Sequence, residues 1–535
     1  MSFRKNDVQQ MTFSDSLFGL TPREQKALKN SWAQLFADEV FPAIDESRFE
    51  VLYSDKASRP NTPVNVIVSG LILKELFDQS DDELVENILL DPRYQLALHT
   101  TSFEEQPVSD KTFSRFRARC YDYERLHGVD LYHDCVTDLA AKTAKLMKID
   151  GRIRRMDSLM IEANIRTLSR MELLYRCISK LVVFLHKNGH DDRIVGMEHY
   201  YDPDDFNRVI YHSRSSETSD RLQVLLEDAD KLIENCGGLF QEVTEYQLLV
   251  RCLSEQTVVE DGKRRLKTKE DGGMSSDILQ NPSDSDATYR EKAGKKHRGY
   301  AANIEESVGE NGSVVTEYQF ETNNTSDSAM LRERLENMEP QKEPTTLVTD
   351  GAYAGEENTA LAEDRNVTLI TTDLPGKDVP VIKGKFELNE SETRILKCPA
   401  GNVPKSASYI RQSGTCTASF QRDICENCPM KDQCRPQFFK RVAKVKVTGK
   451  QIRRAQMQAQ MKSEEFKLFA RLRNGVETVP SILKNVYDVN HMPVHGMIRC
   501  KFFFGSKIAA LNFRKLFRYR KQQGNYAQNP LLACR

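Results

Sequence analysis

At 535 residues, with 77 Lys and Arg against 78 Asp and Glu, the chain is nearly neutral and too long for one ordinary core, so roughly two to four domains or large insertions are expected. Its longest candidate apolar run, Leu181-Val182-Val183-Phe184-Leu185, ends in His-Lys and falls far short of the roughly 18 residues of a membrane span. The start, Met1-Ser2-Phe3-Arg4-Lys5-Asn6, has no apolar stretch behind its charges, which points to a soluble, unexported, cytoplasmic protein with no membrane partner. Twelve cysteines at irregular spacing do not read as a disulfide scaffold.

Residues 1–148 read as helical. Thr21-Pro22-Arg23-Glu24 combines an N-cap, a proline at the first helical position and a glutamate two residues on; Ser80-Asp81-Asp82-Glu83 is a second capping box. Between them Val64 to Phe77 has apolar residues at helical spacing. From Ser109 another helix is expected, with Phe113 and Phe116 facing inward and Lys111, Arg115 and Arg119 lining an outer row. Helix, turn and basic helix suit a major-groove reader; a solvated basic face of a bundle accounts for these residues equally well.

The segment Arg155-Met156-Asp157-Ser158-Leu159-Met160-Ile161-Glu162 reads as a strand bearing Asp157. Helical patterns follow from about Leu168 to Cys252, and Glu260 to Ser285 reads as a polar, Gly-rich linker. Next comes a charged block, Asp286 to Lys292 followed by Gly294-Lys295-Lys296-His297-Arg298-Gly299-Tyr300, whose charges suit an edge that discourages strand pairing. His297 reads as a surface or phosphate-contacting group. Strands are expected at His297 to Glu305 and Ser313 to Thr322, joined by a turn in Gly309-Glu310-Asn311-Gly312. A helix over Ser326 to Met338, a strand Thr346 to Asp350, a helix Glu356 to Asp364 and a strand Val367 to Thr372 complete the series. In Thr346-Leu347-Val348-Thr349-Asp350-Gly351, the β-branched run delivers a carboxylate at its C-terminal tip.

Cys398, Cys416, Cys425, Cys428 and Cys434 form a cluster in sequence. Cys425-x2-Cys428 is a zinc half-site that Cys398 and Cys434 would complete as a tetrahedral thiolate set, with Cys416 as spare; reduced, unmetallated thiols are the alternative. From Lys440 to the end, 21 basic residues face four acids, a net of +17. That excess must lie against a polyanion or be balanced within the fold, for instance by the acidic stretch Tyr200 to Glu260. The run Arg514-Lys515-Leu516-Phe517-Arg518-Tyr519-Arg520-Lys521 alternates basic and aromatic residues, suited to tracking phosphates. Arg473, Glu477 and Lys484, at offsets of four and eleven, share one stripe of an unbroken helix. Gly475 and Pro480 lie inside that span and threaten to bend it.

Arg473-x3-Glu477-x6-Lys484, Asp350-Gly351-Ala352-Tyr353 and the Asp157 strand together resemble the motifs of DDE transposases of bacterial insertion sequences, over most of the chain from Val64 to Lys521. Ala470 departs from the pattern, standing where the family usually has a tyrosine. The resemblance implies an α/β fold: an RNase H-like mixed sheet core (149–166 and 286–375) carrying a helical insertion (167–285) and a Cys-containing insertion (376–455). An all-α, DNA-end-binding domain (1–148) precedes it, and the glutamate helix with a basic segment (456–535) follows. The element order read from periodicity agrees. The catalytic set implied is Asp157, Asp350 and Glu477, holding two Mg²⁺ or Mn²⁺ ions, since three carboxylates suit hard cations. Arg473 and Lys484 would hold phosphate oxygens, with Lys295, Lys296, His297, Arg298, Arg115 and Arg119 as further DNA contacts. The expected partners are double-stranded DNA, as terminal inverted repeats and as target, and a second copy of the chain in the synaptic complex, in the nucleoid. An RNase H-like nuclease that does not join strands, and a non-catalytic DNA-binding protein derived from a transposon, are the alternatives.

Overall fold

The computed structural model describes residues 1–6, 16–56, 58–100, 108–211, 218–273, 275–292, 294–373 and 378–521; the end of the basic segment, 522–535, lies outside them. The chain divides into two compact units. The first comprises Met1–Gly151, Asp157–Met330 and the chain from Thr478; the second comprises Arg152–Met156 and Leu331–Glu477. The mixed α/β class expected from the sequence is met, with helices first and a mixed sheet after them. Among the described residues no helix is long and apolar enough to cross a membrane.

In the first unit both capping boxes form as expected, at Thr21 and at Ser80. The helix Val64–Leu76 is apolar on nearly every face and buried from Val64 to Lys74, as a helix at the centre of a core must be. It packs with Leu131–Leu146 and the long C-terminal helix Met497–Arg520 around one core, which also takes in Phe113 and Phe116. Phe113 and Phe116 point inward as expected.

Strand β1 (Ile153–Glu162) follows, and after it the insertion builds its own core from Arg170–Lys187, Thr218–Cys236 and Thr244–Gln256. The stretch read as a linker begins instead with a hairpin, β2 (Thr257–Glu260) and β3 (Lys263–Leu266). Its Asp261-Gly262 turn takes positive φ at both residues, the geometry that a tight two-residue hairpin turn requires. Strands β4 (Thr288–Lys292), β5 (Lys295–Gly309) and β6 (Gly312–Thr322) then form an antiparallel set, with β5 between its two partners. The β5–β6 turn is Glu310-Asn311, one residue earlier than an Asn-Gly turn would place it, because Gly309 pairs with Gly312. The buried Asn512 accepts from the backbone N–H of Val315 at 3.0 Å and donates to its carbonyl at 2.8 Å, pinning the C-terminal helix to β6.

In the second unit the first residues of β1 pair in parallel with β7 (Thr345–Thr349), in the register Ile153–Thr346 and Arg155–Val348. Strand β7 pairs in parallel with β8 (Val367–Thr371). Helix Glu356–Asp364 makes the crossover between them, and Met156, Leu347, Tyr353, Ala362 and Val367 share a core with Leu331 and Leu335. Beyond β8 lies a four-stranded antiparallel sheet in the spatial order Ser406–Ile410, Thr415–Gln421, Val442–Thr448, Gln437–Phe438. It is packed around Cys416, Phe420, Val445 and Val447.

Candidate active site

In the second unit, β7 ends at Thr349 and Asp350 caps a short turn, Gly351–Tyr353, its Oδ1 accepting from the N–H of Ala352 at 2.9 Å. The adjacent N–H of Gly351 donates to Asp373 Oδ1 at 2.6 Å, a carboxylate just past β8 that the sequence did not single out. Arg473 stands in the last turn of the helix Glu464–Asn474. Its Nη1 lies 2.8 Å from Glu477 Oε1 and its Nη2 lies 3.5 Å from Asp350 Oδ2. One guanidinium thus joins the strand-tip acid to the helical one. Arg473 is 17% exposed in its side chain and Glu477 63%, so the bridge has a covered cation and an open carboxylate.

The unbroken helical stripe expected from Arg473 to Lys484 is not found. The helix stops at Asn474, Gly475–Glu477 form a 3-10 turn, and a new helix runs Thr478–Asn485. The break puts Pro480 in the first turn of the new helix, where a missing N–H costs no intrahelical bond. Arithmetic at 100° per residue therefore fails from Gly475 onward, although Arg473 and Glu477 still meet. Arg155, only 1% exposed, is a further residue that the sequence did not mark: its Nη1 donates to the carbonyl of Leu472 at 2.9 Å. An ideal Cβ on Gly475 would overlap that guanidinium, so glycine is there to let Arg155 lie under the Glu477 turn.

In the first unit, Asp157 is half-buried and its Oδ1 accepts from the N–H of Ser158 at 2.9 Å. Ser158 in turn donates to the buried Asp327 at 2.9 Å. Lys484 is half-buried, and its pKa is lowered by burial and by the neighbouring Lys295 and Lys292, against the attraction of Glu162. Glu162 meanwhile sits 2.5 Å from His297 Nδ1 and accepts from the N–H of Arg298 at 3.1 Å. His297 is therefore tied to a carboxylate through Nδ1 rather than standing open at the surface. Lys295 and Lys296 are exposed, while the Arg298 guanidinium lies over the ring of Tyr289 at 5.5 Å. These positions place Lys484, Lys292 and Lys295 near Glu162, with Asp327 3.8 Å from Lys292 as a second acid.

On the helix Asp110–His127, Arg115 is exposed as expected, whereas Arg119 lies over the ring of Tyr53 at 4.8 Å. Its neighbour Arg117 pairs with Asp81, so part of the basic face is internal. The C-terminal basic run is more strongly internal still. Lys515 lies 2.6 Å from the fully buried Glu306, Lys507 2.6 Å from Glu75, and Arg520 2.8 Å from Glu39. Lys501 pairs with Glu124 and, at 3.0 Å, with Asp130. Part of the positive excess is thus balanced inside the fold, and these partners lie outside the stretch Tyr200 to Glu260 that the sequence suggested.

Cys398, Cys425, Cys428 and Cys434 line one small, almost wholly apolar cavity. Burial and the other thiols raise the pKa of Cys425, and raise that of Cys434 to about 11. Cys416 is not part of the set: it is buried, and its Sγ reaches the carbonyl of Glu392 at 3.2 Å. Among the described residues no three His, Cys, Asp or Glu side chains converge closely enough to hold an ion. The acids nevertheless have the donor chemistry for a hard cation, and a cationic guanidinium already lies between Asp350 and Glu477.

Two families match the chain. "Transposase DDE domain" spans residues 397–517, and "Transposase domain (DUF772)" spans residues 23–119. Both are transposase domains, and the matches agree with the resemblance read from the motifs. The first match includes Arg473, Glu477, Lys484 and the four-cysteine set; the second includes Arg115 and Arg119. Asp157 and Asp350 lie outside both. No curated protein matches the chain. Among solved structures, a piggyBac transposase synaptic complex with hairpin DNA aligns at 7% identity, over 95% of this chain and 78% of that one. Its TM-score is 0.28, too low to carry an argument.

Proposed function

We propose that this transposase binds the terminal inverted repeats of its element and catalyses metal-dependent DNA strand cleavage and strand transfer, with Asp157, Asp350 and Glu477 as the acidic set. The observation that carries the reading is the Arg473 bridge between Asp350 and Glu477. It joins two of the three motif acids through residues 123 and four positions apart in the chain. The third, Asp157, lies on β1 and joins the set through the motif resemblance. The strand series β1, β5, β6, β7, β8, antiparallel and then parallel, supports an RNase H-like core.

Asp157, Asp350 and Glu477 would hold Mg²⁺ or Mn²⁺, which supply charge neutralisation at phosphorus during in-line displacement. Arg473 orients the two acids and presents its fork to a phosphate, and Lys484, crowded by Lys295 and Lys292, gains by meeting an anion. Arg115, Lys296 and Arg298 are the outer DNA contacts of this reading. Arg119 belongs with them only by leaving Tyr53. Joining two element ends calls for at least a dimer, on DNA in the nucleoid. Cys398, Cys425, Cys428 and Cys434 have the donor chemistry for a structural zinc ion but would have to draw together to bind it, which metal analysis of protein purified without chelator tests.

The decisive experiment supplies pre-cleaved 3′-hydroxyl ends, a target plasmid and Mg²⁺. Joined product from the wild type, lost in Asp350→Asn with end binding retained, is the expected result. Hydrolysis without joining would instead favour a nuclease, and binding without either reaction a non-catalytic DNA-binding protein.

A further inference from the structure

The helical insertion contains a cavity of about 210 Å³ that the catalytic reading does not use. Its walls include Arg176, Lys180, Tyr175, Tyr200, Tyr201 and Phe206. Arg176 and Lys180 are one turn apart on the helix Arg170–Lys187 and so face the same side. The Arg176 guanidinium lies over the Phe206 ring, 4.3 Å from its centroid. Its Nε is buried and, among the described residues, has no hydrogen-bond partner. A buried guanidinium N–H without an acceptor costs free energy that an incoming acceptor would recover.

Lys180 adds a second positive charge. Burial and the nearby Arg176 lower its pKa, Cys177 and Glu245 oppose this, and its ammonium is tied to the carbonyl of Pro282. The two inner tyrosines are already committed: Tyr175 donates to Asp205 at 2.6 Å and Tyr200 to Asp228 at 2.6 Å. They present rings rather than hydroxyls. Tyr201 is 38% exposed and stacks on His186 at 4.4 Å. Asp202 also lines the cavity, paired with Arg208 at 3.4 Å, so the cavity sets a basic wall of Arg176 and Lys180 beside aromatic surfaces, the combination that takes a phosphate together with a planar base. Pockets for drug-sized ligands run from roughly 300 to 1,000 Å³, so this smaller space takes no more than one nucleotide.

We propose that this cavity binds a single nucleotide, with its phosphate against Arg176 and Lys180 and its base against the Tyr201 and Phe206 rings. The nucleotide comes either free from solution or as one unstacked residue of a DNA strand. The second source rests on the transposase reading; the first does not.

The test is calorimetric titration of the full-length chain with deoxythymidine monophosphate, with inorganic phosphate and with a short oligothymidylate. The expected result is saturable binding of the mononucleotide, at least tenfold tighter than phosphate. Arg176→Met and Tyr201→Ser should each weaken it at least tenfold, with melting temperatures confirming that both variants are folded. Oligothymidylate binding tighter than the mononucleotide by tenfold or more identifies the DNA source, and equal affinities identify the free nucleotide. The proposal is overturned if no mononucleotide binding appears up to about 10 mM, if phosphate binds as tightly, or if binding survives in Tyr201→Ser. Binding is read without cleavage, so loss of strand transfer in Asp350→Asn bears on the catalytic reading alone.

Discussion

Arg155 occupies the space that any side chain on Gly475 would need. It does so from 1% exposure, while donating to the carbonyl of Leu472 at 2.9 Å. Gly475→Ala should therefore cost about 1–3 kcal/mol of stability, the scale of overpacking a core. Because Glu477 lies two residues on in the same turn, strand transfer should fall at least tenfold while end binding stays within threefold. Thermal melts and the joining assay check both. Unchanged joining in Gly475→Ala would show that the Glu477 turn does not depend on Arg155.

That dependence also marks the limit of what was legible in the sequence. Gly475 and Pro480 were visible as irregularities inside a helix, and the break at Asn474 is where they act. Their reason was not visible, since Arg155 comes from 317 residues before its Leu472 partner. Elements governed by local chemistry were legible: both capping boxes, the helix Glu356–Asp364 and the strand ending at Asp350 follow from neighbouring residues. Charges settled by distant partners were not. Lys515 next to Arg514 reads as part of a phosphate-tracking run until Glu306, 209 residues away, is seen beneath it. The β2–β3 hairpin was missed because its Lys263-Arg264-Arg265 strand is basic and has no apolar alternation.

The shared guanidinium of Arg473 makes a second expectation. A planar fork can serve Glu477 at 2.8 Å and Asp350 at 3.5 Å together, which a lysine ammonium matches only as a point charge. Arg473→Lys should thus retain less than a tenth of wild-type joining, and Arg473→Gln still less. A joining rate in Arg473→Lys within threefold of wild type would mean that charge alone matters at this position.

Lys515 and Lys484 should behave oppositely. Lys515 faces the fully buried Glu306, and removing one partner of a buried pair typically costs about 3–5 kcal/mol. Lys515→Met should lower the melting temperature and leave the salt dependence of DNA binding unchanged. Lys484 is already disfavoured as a cation by burial and by Lys295 and Lys292. Lys484→Met should leave the fold as stable as before, and should reduce the slope of log K against log salt by about one if Lys484 meets a phosphate. Equal slopes for Lys484→Met and wild type would remove it from the DNA contacts.

His133 ties pH to stability. Burial pulls its pKa down, but the carboxylates of Asp134 and of Glu317, 2.7 Å from Nε2, push it up to about 10. The folded state therefore binds the proton more tightly than the unfolded chain, whose histidine titrates near 6.5. The resulting stabilisation is fully present below about pH 6.5 and is lost as pH rises towards 10. His133→Gln should remove it, with a stability difference from wild type that is largest below pH 6.5 and shrinks steadily as the pH is raised. Urea melts of both proteins from pH 6 to pH 10 measure that difference directly. A gap that stays constant across the range would mean that His133 contributes packing, and that its proton is not the source of the stabilisation.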